Sequence, residues 1–446
     1  MTDNAIEAKF NQRVAFHKYS VAHITLFISF VLSGCTSLRG ASRVIGSMLS
    51  FLELGQPVPS WYSGRLWLLR LGYYKLHREQ EWADDWIWIV DHTVQSGSEK
   101  CLVILGVRQS KLPENELYLS YEDAEPIALL PVTHSNGEIV YRQLTQTIEK
   151  TGPPREIIGD HGTDIKSGIE RFCRDHEQTC YIYDIKHKGA AILKRELKND
   201  PHWSEFIQLA AQTGKKVQQT CLSALAPPNQ RSKARYMNVD KLVKWGQEKL
   251  CYLDMLKSEP DDRFPPRQAD DKLGWLNEYR DHLTEWQDLI EVVKTVEGYI
   301  KFVGIYHDSH IDLKEDPIFS PHTDRAKRVG EELLTFIEEQ SLKAKPGERL
   351  LGSSEIIESV FGKLKNLEQD QVKSGFTAML LSLAAVVSKT SHDVIQKALE
   401  TVPTKKVFEW YKKNIGQSVQ SKRKEIMSIA RKTEQKWDQN TTVFLN

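Results

Sequence analysis

The sequence predicts a mixed α/β core with an all-α segment ahead of it and a large all-α insertion within it. Three observations lead there. Short β-favouring runs follow one another between residues 86 and 132, and strand and helix patterns then alternate to residue 198. The first eighty residues show helical spacing throughout. Residues 199–345 carry helical stretches such as VDKLVKWGQEKLCYLDML, without strand alternation.

A chain of 446 residues is too long for one ordinary core. Apolar residues make up 40% and charged residues 27%, which excludes a disordered or fibrous chain and predicts a soluble globular one. The net charge of zero hides an asymmetry. Residues 1–80 hold 9 Lys/Arg against 4 Asp/Glu, residues 361–446 hold 15 against 8, and the middle is acidic. Basic flanks around an acidic centre suit a polyphosphate partner. Six cysteines (35, 101, 173, 180, 221 and 251) show no metal spacing, and a reducing compartment is the expectation.

Three helices are expected ahead of the core, forming a domain over residues 1–80. The first covers about 20–33. The second lies in TSLRGASRVIGSMLSFLEL, with Leu38, Val44, Ile45, Met48 and Leu49 at helical spacing. After a turn over 55–60, Ser60 caps the third, WYSGRLWLLRLG. Helix, tight turn and helix, with Arg65 and Arg70 on the latter, read as a DNA-binding helix-turn-helix. The plain alternative is a bundle that only packs on the core. HITLFISFVLSGC imitates a lipoprotein signal ending at Cys35. A long, partly acidic leader and the interruptions at His23 and Ser29 argue instead for a buried helix over 19–34.

In the core (81–198), strands are expected at 86–91, 101–107, 127–132, 155–159 and 180–185. Helices are expected at 136–151, at 164–176 and in HKGAAILKREL. The insertion spans 199–345, and 346–446 forms a helical C-terminal region. FTAMLLSLAAVV there reads as a core helix, too short to span a bilayer.

Three carboxylates carry the chemistry. Asp91 ends WIWIVDHT, Asp160 follows the apolar run of EIIGDHGTDI, and Glu358 lies on the amphipathic stretch GSSEIIESVFGKLK. Two strand-end aspartates and a helix glutamate can converge on one oxygen-lined pocket, suited to Mg²⁺ with Mn²⁺ as a substitute. Two such ions roughly 4 Å apart serve phosphodiester chemistry. Each acid also has a structural reading. A strand-end Asp can simply cap a turn, while Asp164 rivals Asp160 but reads as the start of the next helix. Glu355 rivals Glu358 from one turn earlier, and Asp84 and Asp85 read as solvated. Lys365, two turns beyond Glu358, is either a phosphate contact or a surface lysine. His187, in YDIKHK with Asp184, is either a phosphate contact or a structural histidine. Trp203, Trp245, Trp275 and Trp286 are either stacking platforms for a base or core.

In this order of parts the chain resembles the DDE transposases of bacterial insertion sequences, built on an RNase H-like catalytic core. Glu358, Phe361 and Lys365 match the family's glutamate-x6-lysine signature, and the turn Asp160-His161-Gly162 is typical of it. A helical insertion before the glutamate is shared with hAT-type transposases. Leu351 and Ser354 stand where many relatives have Tyr and Arg, so roles tied to that pair do not carry over.

The resemblance implies that Asp91, Asp160 and Glu358 are catalytic and hold the metal. It implies DNA as the partner, with Arg65, Arg70, Lys365 and His187 as contacts. The activity implied is nicking of terminal inverted repeats and joining of a 3′-hydroxyl to target DNA. The alternative is a DNA-binding regulator or domesticated relative without strand transfer. Holding two ends together implies a homodimer or higher oligomer on DNA, with KKVFEWYKKN through SKRKEIM touching DNA or the second protomer. No membrane is involved, and the expected place is the bacterial cytoplasm, at the nucleoid.

Overall fold

The computed structural model describes residues 13–94, 99–113, 116–229, 239–259, 265–368, 377–416 and 426–428. The chain divides into two compact units. One is Met1–Pro113, Tyr118–Tyr181 and Ser354–Asn446; the other is Glu114–Leu117 and Ile182–Ser353. The N-terminal eighty residues therefore share a unit with the sheet and with the C-terminal region, whereas the sequence suggested a separate domain.

A five-stranded mixed sheet with flanking helices dominates the first unit. Its strands are β1 (Trp86–Val94), β2 (Lys100–Arg108), β3 (Glu125–Val132), β4 (Glu156–Gly159) and β5 (Cys180–Tyr183), in the spatial order β3-β2-β1-β4-β5. The pairs β1–β2 and β2–β3 are antiparallel, while β4 lies parallel to β1. This frame is consistent with an RNase H-like core. Helices α4 (Gly137–Thr151) and α5 (Thr163–Asp175) belong to the same region of chain.

Side-chain alternation divides β1 between two faces. Trp86, Trp88 and Val90 join Leu102, Ile104, Ile127 and Ile157 in one core cluster. The apolar stripes of α4 (Val140, Leu144) and α5 (Ile165, Ile169, Phe172) complete it. Ile87, Ile89 and Asp91 therefore point to the opposite face. Helix α13 (Glu355–Glu368) packs on β1, and α3 (Trp61–His77) and α14 (Leu380–Val386) pack on β3. Asp85 at the start of β1 is not solvated as expected. Arg108 binds it from β2, and it accepts from Ser110 N at 3.0 Å.

The three N-terminal helices form: α1 (Val21–Leu32), α2 (Leu38–Phe51) and α3. Ser20, Ser37 and Ser60 cap them, accepting from His23 N, Gly40 N and Ser63 N. They do not make the expected helix-turn-helix. Residues 52–60 separate α2 from α3, far more than the roughly 3–4 residues of that motif's turn. Helix α3 is also no free recognition helix, because its apolar residues Trp67, Leu68, Leu69, Leu71 and Leu76 are all buried. It packs against α14, α15 (His392–Thr401) and α16 (Thr404–Asn414). Gly72 makes this possible: a Cβ there would stand 1.9 Å from Leu381 O, so only glycine lets the two backbones meet. Helix α14, within the apolar run read as a core helix, is buried along its whole length. Among the described residues no helix is long and apolar enough to cross a membrane.

The described part of the second unit is largely helical: α6 (Ile185–Lys198), α7 (Pro201–Val217), α8 (Val239–Ser258), α9 (Pro266–Leu273), α10 (Arg280–Val303), α11 (Ser309–Glu315) and α12 (Asp324–Ser341). The four tryptophans meet there as core. Trp203 and Trp286 sit edge to face at 4.9 Å, and Phe206 contacts Trp275 and Trp286 at 5.5 and 5.3 Å. Three of the indole N–H groups are used internally: Trp245 donates to Leu225 O, Trp275 to Thr213 Oγ1 and Trp286 to Asp200 Oδ2.

Glu297 on α10 faces Gly189 of α6, where a Cβ would lie 2.4 Å from its Oε1. Burial pushes its carboxyl up to about 7, against the pull of Lys186. The folded chain then binds the extra proton between the ordinary carboxyl range and pH 7, so this group's contribution to stability falls as pH rises through that window. Unfolding midpoints measured from pH 5 to pH 8 should decline in the wild type. A Glu297→Gln variant should show a flatter profile; an equally steep one refutes the assignment.

Candidate active site

Register brings the two aspartates together. Strand β1 runs parallel to β4, pairing Ile87 with Glu156 and so on to Val90 with Gly159. Asp91 and Asp160 are the next residue on each chain, one step past the last paired residues of strands about 4.8 Å apart. Ile157 lies in the α4/α5 core cluster, and a Cβ at Gly159 would touch Ile165 and Ile169 on that same side. Ile158 therefore points the other way, with Ile87, Ile89 and Asp91, while Asp160 follows the last residue of β4 in a turn.

Local bonds fix both carboxylates. Asp91 Oδ1 accepts from His92 N at 2.6 Å, and Asp160 Oδ1 accepts from Gly162 N at 3.0 Å in an Asx turn. Tyr181 donates its phenol to Asp160 O, holding the turn from β5. Both side chains remain half-exposed.

Glu358 arrives on α13, which packs on β1. The helix buries Ile356, Ile357, Val360, Phe361 and Leu364. Lys363 secures one flank, donating to Leu32 O at 3.2 Å and lying 3.9 Å from the centre of the Tyr121 ring. Glu358 and Lys365, seven residues apart, lie within about 20° of each other on the other flank. Glu355 is turned about 60° further round by the same geometry. Glu358 is half-buried and Lys365 exposed. Among the described residues, no group of three or more His, Cys, Asp or Glu side chains stands ready to hold a metal ion.

The rival Asp164 is committed elsewhere. It lies in the first turn of α5 and binds Lys100 Nζ at 2.7 Å, with His92 Nδ1 at 3.6 Å. Burial alone would raise its carboxyl, but Lys100, Ser135 and His92 hold it down at about 2. Burial likewise pushes the His92 imidazole down to about 4. This cluster ties β1, β2 and α5 together where they emerge. No sequence motif marks His92 or Lys100; their one signal is their place at the ends of the two apolar runs.

The expected DNA contacts fare unevenly. Arg70 is 8% exposed: its guanidinium donates to Val402 O and Leu399 O and meets His17 Nε2 at 2.7 Å. It fastens α3 to α15 and is not offered to DNA, a correction to the sequence reading. Arg65 is half-buried, and burial lowers its pKa. His187 lies in the second unit, where its backbone N–H donates to the α6 cap Asp184 at 2.8 Å. Of the basic C-terminal stretch, α16 is described, and most of SKRKEIM lies outside the described residues.

No family model matches the chain, and no curated protein matches it. Among solved structures it is similar to the Drosophila P element transposase strand transfer complex, at a TM-score of 0.38 and 11% identity over 89% of this chain and 95% of that one. A likeness that loose carries no argument about this chain.

Proposed function

We propose that this chain is a DDE-type DNA transposase that cleaves element ends and joins them to target DNA. One observation carries the reading. The β1–β4 pairing runs as far as Val90 and Gly159, the residues just before Asp91 and Asp160, and the helix bearing Glu358 packs on β1, which supports one shared site.

The donor set fits Mg²⁺ or Mn²⁺. Two adjacent, half-exposed carboxylates supply hard oxygen ligands, and such ions are commonly held by one or two carboxylates plus substrate phosphates. Asp91 and Asp160 would hold the metal, with Glu358 completing the set. When bound, it would supply charge stabilisation at the scissile phosphate and a more acidic attacking hydroxyl. The chain's own residues position. Gly162 N and Tyr181 aim the Asp160 turn, and the His92–Asp164–Lys100 cluster fixes the strand ends beneath it. Lys365, on the Glu358 flank, would take a backbone phosphate.

The second reading is a DNA-binding regulator without strand transfer, favoured by the lack of a ready three-acid cluster among the described residues. The deciding experiment incubates the full chain with Mg²⁺ or Mn²⁺ and a plasmid carrying the DNA that flanks its own coding region. Cuts at defined flanking positions leaving a 3′-hydroxyl are the expected result. Binding to that DNA with no cleavage in either metal would establish the regulator.

A further inference from the structure

The sequence placed DNA contacts on α3, and the structure closes that helix into the core. Helix α2 takes the opposite course. It buries Ala41, Ile45 and Leu49 along one stripe and exposes Arg39, Arg43, Val44, Ser47, Ser50 and Phe51. Arg39, Arg43 and Ser47 stand four residues apart on the exposed side, and Ser50 returns to the same face one turn later. Val44 and Phe51, both exposed, border this face.

Three further facts mark the surface. Neither α2 nor α3 contains an acidic residue, and from Val21 to His77 the sole acid is Glu53. Two arginines one turn apart repel each other, a cost that a bound anion relieves. Among the described residues no carboxylate pairs with either. Finally, the segment after α2 folds back beside it: Ser42 Oγ donates to Pro59 O at 2.6 Å, and Val58 packs near Gly46. That return sets the exposed rings of Trp61 and Tyr62 next to the helix, with the Arg39 guanidinium 5.6 Å from the Trp61 ring centre.

We propose that the exposed face of α2, led by Arg39 and Arg43 and bordered by Val44 and Trp61, is a duplex-DNA contact surface of this chain. The chemistry matches a groove. Arginine forks match guanine edges and phosphates, serine serves either, and an apolar side chain meets a thymine methyl. An α-helix fits the major groove by width. The proposal takes DNA as the partner from the reading above, but it requires neither metal nor cleavage.

The test measures binding of the full chain to a labelled duplex from its flanking DNA, without divalent metal, across a salt series. For Arg39→Ala/Arg43→Ala, affinity should fall at least about tenfold, and the slope of log affinity against log salt should become shallower by about one to two. The unfolding midpoint should stay unchanged, because both side chains are exposed. Arg39→Lys/Arg43→Lys should restore the slope. Unchanged affinity and slope in the alanine variant would overturn the proposal, as would a wild-type chain that fails to bind duplex DNA at low salt. A variant that alters self-association while binding DNA normally would also overturn it, and would assign the face to protein contact. The two readings fail separately. A chain that cleaves its ends but ignores the α2 variants refutes only this surface; one that binds through α2 and never cleaves refutes only the transposase.

Discussion

Asp160→Asn should abolish metal-dependent cleavage of DNA, whereas Asp164→Asn, four residues on, should leave cleavage largely intact. The two carboxylates are held differently. Asp160 lies one step past the last β4 residue paired with β1, half-exposed, and its Oδ1 accepts from Gly162 N. Asp164 is bound by Lys100 and His92 on the α5 side. Removing a carboxylate that contributes several kcal/mol to the transition state costs about three powers of ten in rate. Asp91→Asn should match that loss, and so should Glu358→Gln. Glu355→Gln should remain active, since that side chain is turned away from the Lys365 flank. The cost of Asp164→Asn should fall on stability, measured as a lower unfolding midpoint. An inactive Asp164→Asn beside an active Asp160→Asn would reverse the assignment.

The largest stability loss is expected at Lys75. Its side chain is fully buried, and its ammonium donates to Ala385 O, Val387 O, Ser388 O and Thr390 Oγ1 at 2.6–3.2 Å. Three of these acceptors are main-chain carbonyls at and just beyond the C-terminal end of α14, where helix carbonyls have no partner of their own. Burial pushes the amine down to about 7, and neighbouring Arg78 adds to that. Lys75→Met keeps the volume but strips four oxygens of their donor. Orphaning buried acceptors of a charged group costs about 3–5 kcal/mol. In a chain of 446 residues that lowers the melting temperature by roughly 3–5 °C. Exposed Lys365→Met should change it little, within about 0.5 kcal/mol. A Lys75→Met protein that melts with the wild type would show that the carbonyls find water instead.

The strands and both aspartates were legible because their signals are local. An unbroken run such as WIWIV has one comfortable conformation, and the polar residue that ends it marks where the strand leaves the core. The helix under Glu358 was legible in its amphipathic stretch, while the choice of Glu358 over Glu355 rests on the spacing to Phe361 and Lys365 alone. The fate of α3 was not legible. Arg70 and Lys75 look like the charged face of a surface helix, and what consumes them lies more than 300 residues away, in carbonyls of Leu399, Val402, Ala385 and Val387. No window of sequence contains both partners. The tryptophans of the second unit were left open for a similar reason. Spacing places them on helices, but only packing of α7, α8 and α10 reveals that they face one another.

The discontinuity of the first unit has a consequence for the order in which the chain can be finished. A ribosome makes α1–α3 and all five strands early, then the whole of Ile182–Ser353, and only then α13–α16. Until the last hundred residues emerge, Gly72 has no backbone against it, and Arg70 and Lys75 have no carbonyls to satisfy. The second unit, apart from Glu114–Leu117, is an unbroken segment. The proposed site is therefore assembled only once residues 354–416 have been made. Glu358 and the helices that seal α3 arrive together, so a prematurely ended chain holds Asp91 and Asp160 without the third acid.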